Sequence, residues 1–203
     1  MNTLQFRSIL AAIVFLLSSI SGSAVFAKAN TATKKGAVVK TEVSYLAGGC
    51  FWGMEELLRK LPGVTHVEVG YMGGDTKNAT YNIVKTGATN HAETVKVEFD
   101  PHQLSYENLL LYFFKIHDPT TVNRQGNDIG TQYRSEIFYT SELQKETADK
   151  VIARVNKSNA WGKPVATIVG KAGDWWKAED YHQDYLQKNP EGYTCHFVRK
   201  VEF

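Results

Sequence analysis

Glu42-Val43-Ser44-Tyr45-Leu46-Ala47-Gly48-Gly49-Cys50-Phe51-Trp52-Gly53-Met54-Glu55-Glu56-Leu57-Leu58-Arg59-Lys60-Leu61 is the stretch that decides the fold. Glu42 to Leu46 reads as a short strand. Beyond the glycines, Phe51, Met54, Leu57, Leu58 and Leu61 recur at helical spacing, which puts Glu55, Glu56, Arg59 and Lys60 on the other side. A strand therefore hands over to a helix at Gly48-Gly49-Cys50-Phe51-Trp52-Gly53. Cys50 falls at or just before the first helical turn, where unpaired N–H groups and the helix dipole favour a thiolate over a thiol. Two aromatic side chains follow it directly. That pattern suits a nucleophile with an apolar wall, and it suits equally a buried structural cysteine or one half of a disulfide.

Working outward, Leu61-Pro62-Gly63 makes a turn, and Val64 to Tyr71 alternates with Val67, Val69 and Tyr71 on one face. A loop from Met72 to Asn90 carries Tyr81 and leads to His91. In the strand Glu93 to Phe99, residues Val95, Val97 and Phe99 point one way and Thr94, Lys96 and Glu98 the other. Parity places Glu93 on the apolar side, where desolvation raises a carboxyl pKa. The alternative is a solvated Glu93 just outside the sheet. Ser105 N-caps a helix over Tyr106 to His117. A long loop, Asp118 to Thr131, then carries Asp128 and delivers Gln132-Tyr133 to a strand over Tyr133 to Thr140. Ser141-x-x-Gln144 is a capping box for a helix with Ala148, Val151, Ile152 and Val155 as its buried stripe. A strand over Pro164 to Gly170, a short helix over Ala178 to Lys188 and an irregular tail with Cys195 complete the chain. The order β-α-β-β-α-β-α-β predicts an α/β (α+β) two-layer sandwich, a ferredoxin-like split β-α-β plait with an irregular C-terminal tail.

The N-terminus reads as a targeting segment. Arg7 precedes an apolar run, Ile9 to Ile20, and small residues flank Phe26 in Val25-Phe26-Ala27. The run is short beside the ~20 residues of a spanning helix. Residues 1–27 are therefore expected to be a cleaved secretory signal, with an uncleaved membrane anchor as the alternative. Residues 28–40 are expected to be a flexible leader, and 41–203 a single domain. A net charge of +2 is no electrostatic footprint for nucleic acid. Cys50 and Cys195 are the two cysteines, and in an exported protein an even pair reads by default as a disulfide. The histidines show no metal-ligand spacing, so no metal is expected.

Six segments together resemble the A class of peptide methionine sulfoxide reductases. They are Gly49-Cys50-Phe51-Trp52-Gly53, Gly70-Tyr71-Met72-Gly73-Gly74, Tyr81 with His91-Ala92-Glu93, His117-Asp118-Pro119-Thr120, Asn123 through Ser135, and Tyr181 through Leu186. The resemblance implies an oxidoreductase that reduces methionine-S-sulfoxide, free or in proteins, to methionine. Cys50 would attack the sulfoxide sulfur, Glu93 would protonate the oxygen, and Tyr81, Tyr133 and Asp128 would assist at that oxygen. Phe51 and Trp52 would hold the methyl group. Cys50 would be left as a sulfenic acid, which Cys195 would convert to a disulfide. The implied cofactor is none, and the implied partners are oxidised proteins or peptides and a thioredoxin-like dithiol acting on a monomer. With the signal segment, this predicts a periplasmic or secreted enzyme repairing exported proteins under oxidative stress. Asn90 stands where the family usually has Gly, and Ala79 where Pro is common, and both departures fall in the Tyr81 loop. From the residues alone, a binding module stapled by Cys50–Cys195 and a thiol peroxidase remain open.

Overall fold

The computed structural model describes residues 41–203. The expectations for residues 1–27 and 28–40 fall outside them. Strand β1 (Glu42–Gly48) leads into α1 (Phe51–Arg59), which returns through β2 (Val64–Met72). A one-turn helix, α2 (Tyr81–Val84), interrupts the loop before β3 (Ala92–Phe99). After α3 (Tyr106–Ile116), a two-residue ladder forms between β4 (Arg124–Gln125) and β5 (Asp128–Ile129), followed by a 3-10 turn at Thr131–Tyr133. Then come β6 (Ser135–Tyr139), α4 (Glu142–Ser158), β7 (Ile168–Lys171), β8 (Trp176–Lys177) and α5 (Tyr185–Lys188).

The sheet order is β7-β6-β1-β3-β2-β8. Strand β3 lies between β1 and β2 and is antiparallel to both, so β1 and β2 run parallel around it. That is the predicted split β-α-β, with β6 antiparallel on the far side of β1. Two edge strands extend the plait. Strand β7 joins parallel to β6 after the α4 crossover, and β8 pairs with β2.

The core confirms the strand parities. Val67, Val69, Tyr71, Val95, Val97 and Phe99 are buried with Met54 and Leu58 of α1, Leu109, Leu110, Phe113 and Phe114 of α3, and Ala148, Val151 and Val155 of α4. Each fully buried Leu or Phe contributes about 1.5–3 kcal/mol, so this face dominates the stability. A smaller cluster of Ala47, Met72, Ala92 and Phe138 lies under Tyr45 and Trp175.

Helix α3 begins as the sequence predicts: the Ser105 hydroxyl accepts from the Asn108 N–H. It ends at His117, which takes an extended conformation and donates from Nδ1 back to the Phe113 carbonyl at 2.7 Å. In α4, Ser141 accepts from the Gln144 N–H, but the Gln144 side chain reaches Thr140 rather than Ser141. It spends its amide on the Val43 carbonyl and so ties α4 to β1.

Several boundaries differ from the sequence reading. The strand expected from Tyr133 starts at Ser135, because Thr131–Tyr133 tightens into the 3-10 turn. The strand expected over Pro164 to Gly170 is confined to Ile168–Lys171, where β6 offers a partner. The helix expected over Ala178 to Lys188 is reduced to α5. Asp184 takes a left-handed conformation (φ 56°) and the Gln183 side chain caps the Ala178 carbonyl, so the preceding residues fold as turns. Glu55, expected on the polar face of α1, is buried. It accepts from the Asp184 N–H and pairs with Arg59 at 2.9 Å. Among the described residues no helix is long and apolar enough to cross a membrane.

Candidate active site

Cys50 is set by the turn that joins β1 to α1. Gly49 has φ +100°, and a Cβ there would lie 2.5 Å from the Gln125 side chain, so both the backbone angle and the space require glycine. Cys50 then occupies the N-cap position and is 7% exposed. The Trp52 N–H reaches the sulfur and favours the thiolate, as the sequence anticipates. Burial is the larger effect and the Glu93 charge adds to it, so the Cys50 pKa is pushed far above the usual thiol range. The expectation of a resting thiolate is thus corrected: in the empty site the thiol keeps its proton.

Glu93 lies on β3 opposite Tyr71, buried on the side that parity predicts. One carboxyl oxygen accepts from the Phe51 N–H at 3.1 Å. Burial raises its pKa to about 8, with the Asp128 charge adding to that and the Phe51 N–H offsetting part of it. At pH 7 the acid form of such a group exceeds the carboxylate by about ten to one. Glu93 is a buried, protonated acid beside a protonated thiol.

Three loops bring the remaining groups. Tyr81 opens α2, and its N–H donates to Glu179, whose other oxygen accepts from the Tyr71 hydroxyl at 3.0 Å. Asn90 closes the same loop at φ +56°, with its carbonyl held by Arg134. Asparagine tolerates the left-handed region better than other side chains, so the Gly-to-Asn departure keeps the backbone geometry. Ala79 packs into the core. Tyr133 closes the 3-10 turn on the Gly130 carbonyl. Burial, then the Glu93 charge, raises the pKa of both Tyr81 and Tyr133, which leaves two neutral hydroxyl donors. Asp128, on β5, accepts from the Tyr193 hydroxyl at 3.1 Å.

Cys50, Phe51, Trp52, Tyr81, Glu93, Asp128 and Tyr133 line one cavity of about 160 Å³, with Tyr193 at its edge. A larger one of about 530 Å³ lies between the starts of α3 and α4, and its lining holds neither cysteine nor histidine. The chemistry belongs to the smaller. Cys195 sits beside it, its Sγ 3.4 Å from Asp128 Oδ2, and burial with the Asp128 charge raises its pKa to about 11. Both cysteines are free thiols.

Partners distant in sequence hold these residues in place. The Trp52 indole donates to His182 Nδ1 at 3.0 Å, and the Tyr185 ring stacks on it at 3.7 Å. His182, expected on a helix face, lies instead in a turn, 1% exposed, between Phe51, Trp52 and Tyr81. Its aromatic-rich setting, Tyr181-His182-Gln183-Asp184-Tyr185, was the available signal. Glu179 and His196 carried none.

The arrangement pairs a cavity-facing thiol with a general acid, two phenol donors and an aromatic wall. A family model described as peptide methionine sulfoxide reductase matches residues 42–202. Peptide methionine sulfoxide reductase MsrA 1 of Mesorhizobium japonicum is 57% identical over 159 residues, 78% of this chain and 90% of that protein. The MsrA of Pseudomonas fluorescens is 52% identical over 162 residues, 80% and 76% of the two chains. Among solved structures, reduced Mxr1 from Saccharomyces cerevisiae superposes with TM-score 0.75 at 37% identity, covering 81% of this chain and 95% of that one. Methionine sulfoxide reductase A of Corynebacterium diphtheriae gives 0.67 at 39% identity, covering 78% and 79%.

Proposed function

The chain belongs to the peptide methionine sulfoxide reductase family and is an oxidoreductase that reduces methionine sulfoxide at the expense of thiols; from that premise we propose that Cys50 is the nucleophile and Glu93 the acid of the reaction. The observation that carries this reading is the meeting of the two in one cavity, both buried and both holding a proton. A sulfoxide oxygen leaves sulfur only if it is protonated as the bond breaks, which needs an acid still protonated at neutral pH. Glu93 gives its proton to that oxygen and takes up the Cys50 proton as the sulfur attacks. The thiol reacts as a thiolate only within this transfer. The sulfoxide S–O bond breaks, the oxygen passes to the Cys50 sulfur as a sulfenic acid, and methionine departs with its sulfur reduced.

The Tyr81 and Tyr133 hydroxyls, neutral donors in a small buried site, stabilise charge developing on the oxygen. Asp128 assists from the mouth, through water. Phe51 and the indole of Trp52, the latter fixed by His182 and Tyr185, receive the methyl group. With the methyl on the aromatic wall and the oxygen toward Glu93, only one configuration at sulfur leaves the peptide free at the open side. We assign that to the S epimer.

Cys195 then displaces hydroxide from Cys50, which leaves as water and yields a disulfide that a thioredoxin-like dithiol reopens by exchange. The site is complete within one chain, consistent with a monomer. The export reading, with repair of oxidised exported proteins, rests on residues 1–27. It is tested by sequencing the protein from the exported fraction: a first residue at Lys28 supports it and one at Met1 overturns cleavage. The reaction is tested by incubating the protein with each epimer of a methionine sulfoxide amide and dithiothreitol. Methionine should form from the S epimer alone. No methionine from either epimer, or full activity in Cys50→Ser, would overturn the assignment.

A further inference from the structure

The glycines around Cys50 have a second use. A Cβ on Gly53 would lie 2.7 Å from His196 Nδ1 and closer still to the Thr194 hydroxyl, and one on Gly49 would lie 3.3 Å from His196 Cε1. The two glycines therefore form a notch on either side of the nucleophile, and the tail fills it. His196 is the residue inside, 7% exposed, with Nε2 2.7 Å from the Gly48 carbonyl. A carbonyl only accepts, so Nε2 carries the hydrogen and Nδ1 presents its lone pair toward Cys195 Sγ at 3.5 Å. Burial lowers the imidazole pKa to about 4, which leaves the ring neutral near pH 7. Beyond the notch Phe197 and Val198 are half or more exposed, and the tail is next tied down where the Arg199 N–H donates to the Lys115 carbonyl at 2.9 Å; the Cys195 thiol lies against Asp128 and His196.

We propose that His196 is the positioning residue of the disulfide-forming step: its Nε2–H, donated to the Gly48 carbonyl, seats the tail in the Gly49–Gly53 notch and so delivers the Cys195 thiol to Cys50. The inference rests on the functional reading above. In the step concerned, the Cys195 sulfur attacks the Cys50 sulfenic sulfur, the S–S bond forms and the S–O bond breaks. Cys195 is oxidised, the Cys50 sulfur is reduced, and the thiol proton and the hydroxyl leave as water. The gain comes from holding one sulfur beside the other, which raises the effective concentration of the attacking group. The hydrogen bond ties the residue after Cys195 to the residue two before Cys50, so it joins the two cysteine-bearing segments directly.

The test follows the full-length protein given one equivalent of methionine-S-sulfoxide amide, with methionine release and the loss of free thiols recorded separately. In His196→Ala, the rate of Cys50–Cys195 closure relative to methionine release should fall about tenfold or more, by the scale of lost intramolecular positioning. In the Cys50→Ser background, His196→Ala should let Cys195 react with 5,5′-dithiobis(2-nitrobenzoate) at least as fast as before, because the thiol is intact and freed. His196→Gln, whose amide N–H can reach the Gly48 carbonyl, should recover closure to within a few-fold. Gly53→Ala should slow closure as His196→Ala does, even though alanine favours the helix it sits in. Normal closure in His196→Ala or Gly53→Ala overturns the proposal. So does His196→Gln as slow as His196→Ala, since ring packing rather than the donated hydrogen bond would then hold the tail. Absence of methionine release from the unmodified protein would instead strike the functional reading beneath it.

Discussion

Replacing Glu93 by glutamine removes the ionisable proton while keeping the shape that fills the site. The consequence for stability follows from burial. The Glu93 pKa moves from 4.5 in an unfolded chain to about 8 in the fold, chiefly by desolvation. A carboxyl group whose folded pKa is raised stabilises the fold relatively while it is protonated. That contribution is present in full below about pH 4.5 and is lost as pH rises through about 8. At 1.36 kcal/mol per pKa unit, the full cost of ionising Glu93 in place is roughly 5 kcal/mol. Roughly 4 kcal/mol of it accrues between pH 5 and pH 9 by the same linkage. Glutamine is neutral throughout, so Glu93→Gln should gain stability relative to the unsubstituted protein as pH rises across that window. Urea unfolding at pH 5, 7 and 9 reads the difference. Methionine release by the variant should meanwhile fall by about 10²-fold or more at pH 7, on the usual scale for a general acid. Release by the unsubstituted protein should decline as pH passes about 8. Parallel stability curves for the two proteins would refute the reasoning, because Glu93 would then be solvated or compensated and not held as a buried acid.

Other perturbations separate the remaining parts. Cys195→Ser should still release about one methionine per protein in a single turnover but lose turnover with a thioredoxin-like donor. A melting temperature lowered with donor turnover unchanged would return Cys195 to a structural role. Tyr133→Phe removes a neutral donor from the cavity and should slow methionine release by about 10-fold to 10²-fold at constant fold, on the scale of a lost oxyanion donor, as rapid-quench single-turnover measurement of methionine can follow. At Asn90, with φ +56°, Gly should be accepted without loss of melting temperature. Val there should cost about 1–3 kcal/mol of stability in denaturant titration, since a β-branched residue is strained in that region.

The period-two pattern of Glu93-Thr94-Val95-Lys96-Val97-Glu98-Phe99 set which face Glu93 occupies. The register with Tyr71 then placed it in the core, as that parity requires. The strand-to-helix handover at Cys50, the caps at Ser105 and Ser141 and the split β-α-β order were legible for the same reason. Each depends on backbone geometry within a few residues, which local sequence encodes directly. Asn90 departs from the family's glycine without altering the Tyr81 loop's backbone, because the position needs a left-handed conformation rather than glycine itself.

What only the tertiary structure decided is depth and distant partnership. The helix start at Cys50 lowers a thiol pKa wherever it occurs, but enclosure by β3 and the Asp128 loop removes more solvation than one N–H returns, so the resting thiol is neutral. Periodicity put Glu55 on the outer face of α1, and a turn arriving 129 residues later covered it. Trp52 owes its orientation to His182, 130 residues away, and Cys50 its neighbour His196 to a tail bonded back across 148 residues. Periodicity within an element specifies the direction in which a side chain points. Desolvation depends on everything else that arrives there, and that is known only when the chain has closed on itself.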